Sequence, residues 1–460
     1  MRCSRFFAAV FVLVFAVAGT VSGQTVDTIY SFSGGADGKY PELGGLIQGR
    51  DGLLYGETGS GGANDLGTVF EVTSGGVETV LYDFDGSHGA GPQGGLALGS
   101  DGNFYGTTSA GGTQGLGTLF RITPQGILTV LHSFAGGDDA QEPVAPPVEA
   151  SDGNLYGTVA GSAGYSSSYK YDRSGKFSVL HKFSTTEGWD VEAPLIQAVD
   201  GNLYGTAEFG GTFNCGTAFA VTTSGTVLRY YSFQCNSGGD WPYAPLMQAS
   251  DGNFYGTTES SEGSVCCPGV VFKLTPTGEE STFYSFGTVN YDGDNPYAGL
   301  VEATNHLLYG STKSGGVNGT GNLFSLTLDG SYTLVYSFPS LSSSYYPWGL
   351  LQHTSGRLYG ITEAGGASDF GTVFSLNAGL RPFIAFVAPT GEVGQSVQIL
   401  GQGLTGATSV TFNGVPATSF SVVRGTYMTA VVPSGATTGP VVVTTPGGAL
   451  TSNVSFRIIN

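Results

Sequence analysis

The chain has 460 residues, of which 40% are hydrophobic and 12% aromatic, which is enough apolar material for a sizeable core and excludes a disordered polymer. Its formal net charge of −19, from 16 basic and 35 acidic residues, opposes binding to phosphate backbones and anionic lipids. We therefore expect no nucleic-acid partner, and we attribute most of the charge to solvation of the surface.

Residues 1–23 have the pattern of a secretory signal peptide. Arg2 and Arg5 precede an apolar run over residues 6–18, and small residues follow, so cleavage after Ala18 or Gly23 fits. No later stretch reaches the roughly 18 apolar residues that a membrane-spanning helix needs. We expect an exported protein with no transmembrane segment in the mature chain.

One pattern recurs seven times between residues 24 and 380. Its marker is a Tyr-Gly pair that returns about every 50 residues. The seven pairs begin at Tyr55, Tyr105, Tyr156, Tyr204, Tyr255, Tyr309 and Tyr359. The nonapeptide SDGNFYGTT stands at residues 100–108 and again at residues 250–258. A period of this length is typical of repeat architectures, in which each unit is one small supersecondary structure.

The second repeat, residues 94–134, predicts four short strands. They fall at residues 96–98, 104–108, 118–123 and 128–134. Asp101-Gly102 and Pro124-Gln125-Gly126 have the residues of tight hairpin turns between them. Phe104 and Tyr105 point to opposite faces of the second strand, so both faces are apolar. Such strands fit a sheet that is packed between two neighbours.

Four-stranded units that cannot bury both faces alone describe the blades of a β-propeller. A phenylalanine ends the fourth strand of each unit: Phe32, Phe84, Phe134, Phe183, Phe233, Phe286 and Phe338. The first of these precedes every other strand, and the seventh repeat ends without an equivalent. We therefore predict an all-β, seven-bladed propeller with a kelch-like period over residues 24–380, closed by its N-terminal strand.

Residues 381–460 follow a different pattern, with seven or so short alternating strands typical of an immunoglobulin-like sandwich. PTG at 389–391, ILG at 399–401, VTFNG at 410–414, VVP at 431–433 and TPGG at 445–448 resemble the motifs of the IPT/TIG family in order. The resemblance implies a spacer or contact module. The scarcity of Lys and Arg opposes the DNA binding known from some members.

The repeats resemble the GloVer tandem repeat of exported bacterial proteins whose C-termini vary in their anchoring device. The shared string is LYGxT, then GG, GTVFxLxxxG and LYSF, over residues 25–380. The third copy departs from it, with YSSSY at 165–169 where GTVF is expected. The resemblance implies a secreted or cell-surface protein, in the bacterial periplasm or outside the cell. It carries no established activity, so no catalytic residue is predicted.

Function is expected on the face that holds the long loops, because a rigid scaffold leaves such loops free to vary. The Asp-Gly and Pro-x-Gly turns share the other face. All three tryptophans fall in connections between repeats, beside acidic or aromatic residues. The predicted ligand-binding residues are Trp189, Asp190, Trp241, Tyr243, Asp292, Asp294, Tyr297, Tyr346 and Trp348. Rings that stack on sugar C–H faces beside carboxylates that accept hydroxyl hydrogens suit a polysaccharide.

Other interpretations stay open. An extracellular protein partner fits the same loop face, an extracellular carbohydrate-active hydrolase or lyase is a second function, and a structural spacer or adhesion protein is a third. The recurrence of an aromatic residue after proline, as in Trp241-Pro242-Tyr243, favours for any single ring a structural wedge between repeats. A monomer is expected.

No cofactor or metal site is predicted. Residues 292–295, DGDN, have calcium-like oxygen donors but lack the spacing and terminal glutamate of a calcium-binding loop, so a solvated turn is favoured over calcium. No GxSxG, HExxH or phosphate-binding loop occurs in the chain.

Four cysteines follow residue 23, which allows three pairings. Cys215 precedes a third strand and Cys235 follows the fourth, so the hairpin brings their Cα atoms within the roughly 4.4–6.8 Å of a disulfide. Export favours the bond. Cys266 and Cys267 are then left together, either as a vicinal disulfide or as two thiols.

Overall fold

A computed structural model describes residues 24–41, 44–160, 166–235, 239–259, 269–339 and 344–459. The fold is all-β, as predicted, and in these ranges the only helix is one 3-10 turn at Gly137–Asp139. No helix in the same ranges is long and apolar enough to cross a membrane.

The repeat region contains 28 strands in the described ranges. In chain order they are β1 (Val26–Ser31), β2 (Ile47–Gln48), β3 (Leu54–Thr58), β4 (Thr68–Val72), β5 (Glu78–Asp83), β6 (Ala97–Leu98), β7 (Phe104–Thr108), β8 (Thr118–Ile122), β9 (Leu128–Ser133), β10 (Val148–Glu149), β11 (Leu155–Val159), β12 (Ser167–Tyr171), β13 (Phe177–Lys182), β14 (Ile196–Gln197), β15 (Leu203–Ala207), β16 (Thr217–Val221), β17 (Val227–Ser232), β18 (Met247–Gln248), β19 (Phe254–Thr258), β20 (Val270–Leu274), β21 (Glu280–Ser285), β22 (Val301–Glu302), β23 (Leu308–Thr312), β24 (Asn322–Leu326), β25 (Tyr332–Ser337), β26 (Ser344–Gln352), β27 (Leu358–Gly365) and β28 (Thr372–Leu376).

These strands form four-stranded antiparallel sheets, seven of them in the described part of the chain. Sheets 1 to 6 each contain four consecutive strands, from β2–β5 in sheet 1 to β22–β25 in sheet 6. Sheet 7 contains β26, β27, β28 and, paired with β28, the N-terminal strand β1. The first strand of the chain therefore completes the last sheet of the repeat region.

Residues 385–458 form a separate two-sheet sandwich. Its strands are β29 (Ala385–Phe386), β30 (Thr390–Gly391), β31 (Ser396–Leu400), β32 (Ser409–Phe412), β33 (Val415–Pro416), β34 (Phe420–Arg424), β35 (Tyr427–Val431), β36 (Val441–Thr445), β37 (Gly448–Thr451) and β38 (Arg457–Ile458). One four-stranded sheet has the order β29-β31-β35-β34 and the other β33-β32-β36-β37, and β30 pairs with β38 in a short parallel sheet beside them. Ile399 and Met428 of the first sheet pack with Phe412 and Val443 of the second, so alternate residues of both sheets form the core.

The glycine of each Tyr-Gly pair makes room for an aromatic ring of the third strand. A Cβ added at Gly310 would lie 2.5 Å from Cζ of Phe324 and 2.6 Å from Cδ2 of Leu300. The same arrangement recurs as Gly56 on Phe70, Gly106 on Phe120, Gly157 on Tyr169, Gly205 on Phe219, Gly256 on Phe272 and Gly360 on Phe374. Glycine is required at this position, because any side chain there would collide with the ring of the third strand.

The tyrosine of the pair ties the Asp-Gly turn to the core. The Tyr55 hydroxyl donates to Asp51 Oδ2 at 2.6 Å, and its ring lies 4.2 Å from that of Phe104 in the next sheet. The hydroxyl bond to the aspartate four residues earlier recurs at Tyr105, Tyr156, Tyr204 and Tyr255. The tyrosine thus buries its ring between sheets and satisfies its hydroxyl at the surface.

One ring contact joins each sheet to the next. The phenylalanine after each fourth strand packs on the ring of a third strand in the following sheet, with ring centroids 4.6–5.9 Å apart. The pairs are Phe32–Phe70, Phe84–Phe120, Phe134–Tyr169, Phe183–Phe219, Phe233–Phe272, Phe286–Phe324 and Phe338–Phe374. Phe32 connects sheet 7 to sheet 1, so the contacts run in a closed cycle.

The atypical third repeat forms its third strand. β12 pairs with β11 on one side and β13 on the other, and Tyr169 occupies the place of the usual phenylalanine. The strand survives because its central ring is kept even though the flanking residues differ. Tyr165 lies outside the described residues.

A disulfide joins Cys215 and Cys235, whose Cα atoms are 5.6 Å apart, and this is the pair that the hairpin predicts. It links the start of β16 to the end of β17 across the open end of their hairpin. Cys266 and Cys267 lie outside the described residues.

The sandwich contacts the face of the repeat region that carries the Asp-Gly turns. Nη2 of Arg50 donates to the Ser100 carbonyl at 2.7 Å and to Oε1 of Gln398 at 2.5 Å. The Arg50 guanidinium also lies 4.8 Å from the ring centroid of Tyr427, and Thr426 donates to the Arg50 carbonyl at 2.8 Å. The short turns therefore have a structural partner in the same chain.

Gly310→Ala is expected to lower the free energy of unfolding by about 1–3 kcal/mol, because the new methyl must displace Phe324 or Leu300. Gly349→Ala is the matched control, since no atom lies within 4 Å of a Cβ added there. Urea unfolding of both variants measures the difference. Equally small losses would show that the third-strand ring does not need the glycine.

Phe32→Ala is expected to cost about 3–5 kcal/mol, as much as Phe134→Ala, because both rings are fully buried and make the same contact between sheets. The comparison tests the closing strand directly by urea unfolding. If the Phe32 variant loses far less stability than the Phe134 variant, the contact made by the N-terminal strand contributes little to the stability of the fold.

Candidate functional site

Each repeat has left-handed backbone at one equivalent position, seven to nine residues after the phenylalanine that follows a fourth strand. The seven φ values are 56° at Tyr40, 63° at Gly91, 56° at Glu142, 61° at Asp190, 55° at Trp241, 55° at Asn295 and 58° at Tyr346. Six of these residues carry a side chain, for which this conformation is unfavourable. Strain of this kind persists where the surrounding fold over-determines it, and it is concentrated at functional sites.

Two further positions recur in each repeat near these residues. The first is the position two residues after each left-handed residue, which holds Gln93, Val144, Glu192, Tyr243, Tyr297 and Trp348 in six of the repeats. In the remaining repeat it holds Glu42, which lies outside the described residues. The fourth residue after the tyrosine of each Tyr-Gly pair is Gly59, Ser109, Ala160, Glu208, Glu259, Lys313 or Glu363. Sheets 4 to 7 thus supply charged and aromatic side chains where sheets 1 to 3 supply small or neutral ones.

A cavity of about 100 Å³ lies where the connections meet. It is lined by Gly44, Gly94, Val144, Pro146, Glu192, Ala193, Pro194, Tyr243, Ala244, Pro245, Tyr297 and Trp348. Each of the seven connections contributes at least one of these residues. The cavity therefore lies on the axis around which the sheets are arranged, on the face opposite the Asp-Gly turns.

Three rings form one wall of this axial cavity. The centroids of Tyr243 and Tyr297 are 4.6 Å apart, and those of Tyr297 and Trp348 are 5.3 Å apart at an angle of 84°. Trp348 is only 5% exposed, and its Nε1 has no hydrogen-bond partner in the part of the chain that the structure describes. A buried donor without a partner is costly, so this group has an unused capacity to bind an acceptor.

Carboxylates gather beside the aromatic wall. One oxygen each of Asp190, Glu192 and Glu208 lies within 4.8 Å of the other two. Tyr243 donates a hydrogen bond to Glu192, yet burial still raises the pKa of Glu192. Tyr297 donates in the same way to Glu259, whose pKa burial also raises.

Glu208 has the most perturbed acidity of this group. Its side chain has no hydrogen bond or ion pair within the described ranges, and its backbone N–H donates to the Asp190 carbonyl at 3.1 Å. Burial, followed by the charges of three neighbouring carboxylates, raises the pKa of Glu208 to about 8. The side chain therefore holds a proton at neutral pH.

The three clustered carboxylates are the group of described residues that could hold a metal ion. Their oxygens suit a hard cation such as Ca²⁺, which prefers carboxylate ligands. Acidic groups like this are common without an ion, and the proton on Glu208 already relieves part of their repulsion.

Lys313 places an ammonium against the same aromatic wall. Its Nζ lies 5.2 Å from the ring of Trp348, 5.2 Å from that of Tyr297 and 5.6 Å from that of Tyr346. It also forms an ion pair of 3.2 Å with Glu363. Rings and a carboxylate around one ammonium make a cation–π site that the chain fills itself.

Of the predicted ligand residues, Tyr243, Tyr297 and Trp348 line the axial cavity. Trp189 stacks on Phe209 at 4.5 Å, next to Glu208 in the chain. Trp241 lies 6.3 Å from the same Phe209 ring. These two tryptophans are half-buried and flank the carboxylates at the rim.

Asp292 is placed differently from the expectation, because it anchors a loop. It is 3% exposed and accepts hydrogen bonds from the Tyr284 hydroxyl at 2.8 Å and from the N–H groups of Gly287 at 3.0 Å and Val289 at 3.2 Å. Asp294 pairs by its backbone with Ser314. Neither aspartate lines the axial cavity, and the same anchoring contact is made by Tyr30 with Asp37 and by His132 with Asp139.

Sequence reasoning recognised Glu192 only as an acidic neighbour of Trp189, and it did not single out Glu208, Glu259, Lys313 and Glu363. The last four stand at one position of the repeat, four residues after each tyrosine of the Tyr-Gly pair. A comparison of the repeats position by position contains this signal.

The fold and the axial cavity define a propeller-like, all-β repeat protein. The chain belongs to the Gloeobacter/Verrucomicrobia repeat family, whose model matches residues 14–167, 137–290 and 260–427. The predicted tandem-repeat family is thereby confirmed. No curated protein matches the chain.

Solved structures share the fold at low identity. Virginiamycin B lyase from Staphylococcus aureus gives a TM-score of 0.51 at 13% identity, over 77% of this chain and 98% of that one. The extracellular domain of a protein assigned to the hybrid two-component systems of B. thetaiotaomicron also gives 0.51 at 13% identity, over 95% of this chain and 55% of that one. A gluconolactonase from Xanthomonas campestris gives 0.42 at 13% identity, over 77% and 89%. The first two establish a propeller-like fold and nothing about chemistry.

Glu208→Gln is expected to make the protein less sensitive to pH. Because the folded-state pKa of about 8 exceeds the ordinary 4.5, the stability linked to this group is fully present below pH 4.5 and is lost as pH rises through about 8. Thermal unfolding at acid and mildly alkaline pH should show the variant matching the wild type in acid and melting higher in alkali.

Glu279→Gln is the control for this experiment. It removes one charge from an exposed turn on the opposite face, so the general effect of net charge is the same. If both variants shift equally with pH, the effect belongs to net charge and not to the carboxylate cluster.

Proposed function

We propose that the chain is an exported, seven-bladed β-propeller followed by an IPT/TIG sandwich, and that it binds polysaccharide across the mouth of the axial cavity. In this proposal residues 1–23 are a signal peptide, 24–380 the propeller and 381–460 the sandwich. The observation that carries the binding function is the cavity itself, with an aromatic wall beside a carboxylate cluster on the propeller axis.

The cyclic contacts support the blade number. Seven described sheets are joined by seven ring contacts, and β1 belongs to the last sheet. The two sheets of the sandwich, with Asn413-Gly414 between β32 and β33, agree with the IPT/TIG motifs. The disulfide between Cys215 and Cys235 agrees with export to an oxidising compartment.

The size of the cavity favours an extended ligand over a small one. Sites that enclose a drug-sized molecule hold roughly 300–1,000 Å³. The axial cavity holds about 100 Å³, so one sugar edge enters it while the rest of a chain lies across the rim.

Tyr243→Ala is expected to weaken polysaccharide binding about tenfold, because it removes one stacking ring and one hydrogen bond of the wall. Tyr230→Ala is the control, since that ring is 48% exposed on the outer strand of sheet 4. A glycan array followed by calorimetry measures both variants. If the protein retains no glycan on the array, polysaccharide binding is refuted. If the two variants bind with equal affinity, the binding site does not include Tyr243.

A carbohydrate-active hydrolase or lyase is the second candidate, favoured by one observation. Glu208 keeps a proton at neutral pH beside two further carboxylates, which is the pairing that general acid and base catalysis requires. Incubation with each glycan that binds should then release reducing ends or unsaturated products, and Glu208→Gln should abolish the release. Binding without any product would refute the enzymatic function and support the binding function.

A further inference from the structure

We infer that the polysaccharide bound at the axial site carries free amino groups, so that ammonium-bearing sugar units lie against the carboxylates and the aromatic wall. This inference rests on the proposed function, because it names the class of glycan for that same site. It follows from the carboxylates beside the aromatic wall of the cavity and from the way this wall already holds one ammonium.

The charges around the site are unbalanced. Glu192 and Glu259 accept hydrogen bonds from tyrosines, and the side chain of Glu208 has no partner within the described ranges. Lys313 is paired with Glu363 at 3.2 Å. An acidic polysaccharide would meet carboxylates of its own sign here, and a neutral one would leave the proton on Glu208 in place and gain no charge pairing.

Lys313 shows what kind of group this environment binds. Its ammonium is held by three rings and one carboxylate, on the side of sheets 6 and 7. On the side of sheet 4, the ring of Tyr243 adjoins Glu192 and Glu208. The charge of Lys313 reaches Tyr297 and Glu259 instead. The sheet 4 side of the site is complementary to an ammonium that comes from a ligand.

An amino sugar supplies every group that the site lacks. Its ammonium pairs with Glu208, and its C–H face stacks on the tyrosine rings. A ring oxygen or hydroxyl can accept from Nε1 of Trp348, the 95% buried donor without a partner in the described residues. A simple amine without a sugar ring would make only the pairing with Glu208.

Binding of an ammonium should release a proton. The charges of Glu192, Asp190 and Glu259 favour the protonated form of Glu208 when the site is empty. Tyr243 and Tyr297 also lie close to Glu208 and are uncharged. A ligand ammonium replaces that proton as the counter-charge, and the proton passes to the buffer. The measured heat of binding then depends on the ionisation enthalpy of the buffer, which a neutral glycan does not cause.

The test compares three oligosaccharides of equal length by calorimetry with the mature chain at low salt. They are a glucosamine oligomer, its N-acetylated form and a neutral glucose oligomer with the same linkage, below neutral pH where the free amines are charged. We expect the glucosamine oligomer to bind about tenfold more tightly than the other two, with proton release. Glu208→Gln should remove this preference and the proton release, and Glu279→Gln should keep both.

Three results would overturn the inference in different ways. If all three oligomers bind equally and Glu208→Gln changes none of them, the amine preference is wrong while glycan binding stands. If none binds, the proposed polysaccharide function fails first. If an oligolysine of equal charge binds as tightly as the glucosamine oligomer, the site recognises basic peptides and the sugar part of the inference is wrong.

Discussion

The structure depends on one ring contact that is repeated from sheet to sheet. Phe286 ends the fourth strand of sheet 5 and packs on Phe324 of sheet 6 at 5.2 Å, and Gly310 gives the Phe324 ring its place. A sheet with apolar residues on both faces cannot bury them alone. Each sheet is therefore stable only between two others, and the N-terminal strand matters because it supplies Phe32 where the cycle would otherwise stay open.

The same contact fixes the connections that build the site. The N–H of each of these phenylalanines bonds the carbonyl just before a third strand, as Phe338 does with Gly321 at 3.0 Å. The chain then passes through its left-handed residue, so each connection has the same backbone turn at this one position. The side chains after the second strands add to the asymmetry of the site, because sheets 4 to 6 carry Glu208, Glu259 and Lys313 where sheets 1 to 3 carry glycine, serine and alanine.

The fold could be predicted because the motifs that indicate its strands and turns are local and recur in several repeats. A Tyr-Gly pair, an Asp-Gly turn and a terminal phenylalanine each indicate one element without reference to the rest of the chain. The site could be predicted only in part. Tyr243 and Trp348 stood out as rare residue types, whereas Glu208 and Glu259 lie 51 positions apart and look like ordinary surface acids. The sequence also does not show that the oxygens of Asp292 accept hydrogen bonds from its own loop.

The excess of acidic residues in this chain has two physical consequences, and composition alone does not show which acidic residues belong to which. On most of the surface a carboxylate is hydrated and keeps the protein soluble. Around the axial cavity, burial makes the same charge unfavourable, and two cations already compensate it: the proton on Glu208 and the ammonium of Lys313. The amino-bearing glycan that we propose would exchange one cation for another at this site, and a ligand without positive charge would gain only from the rings.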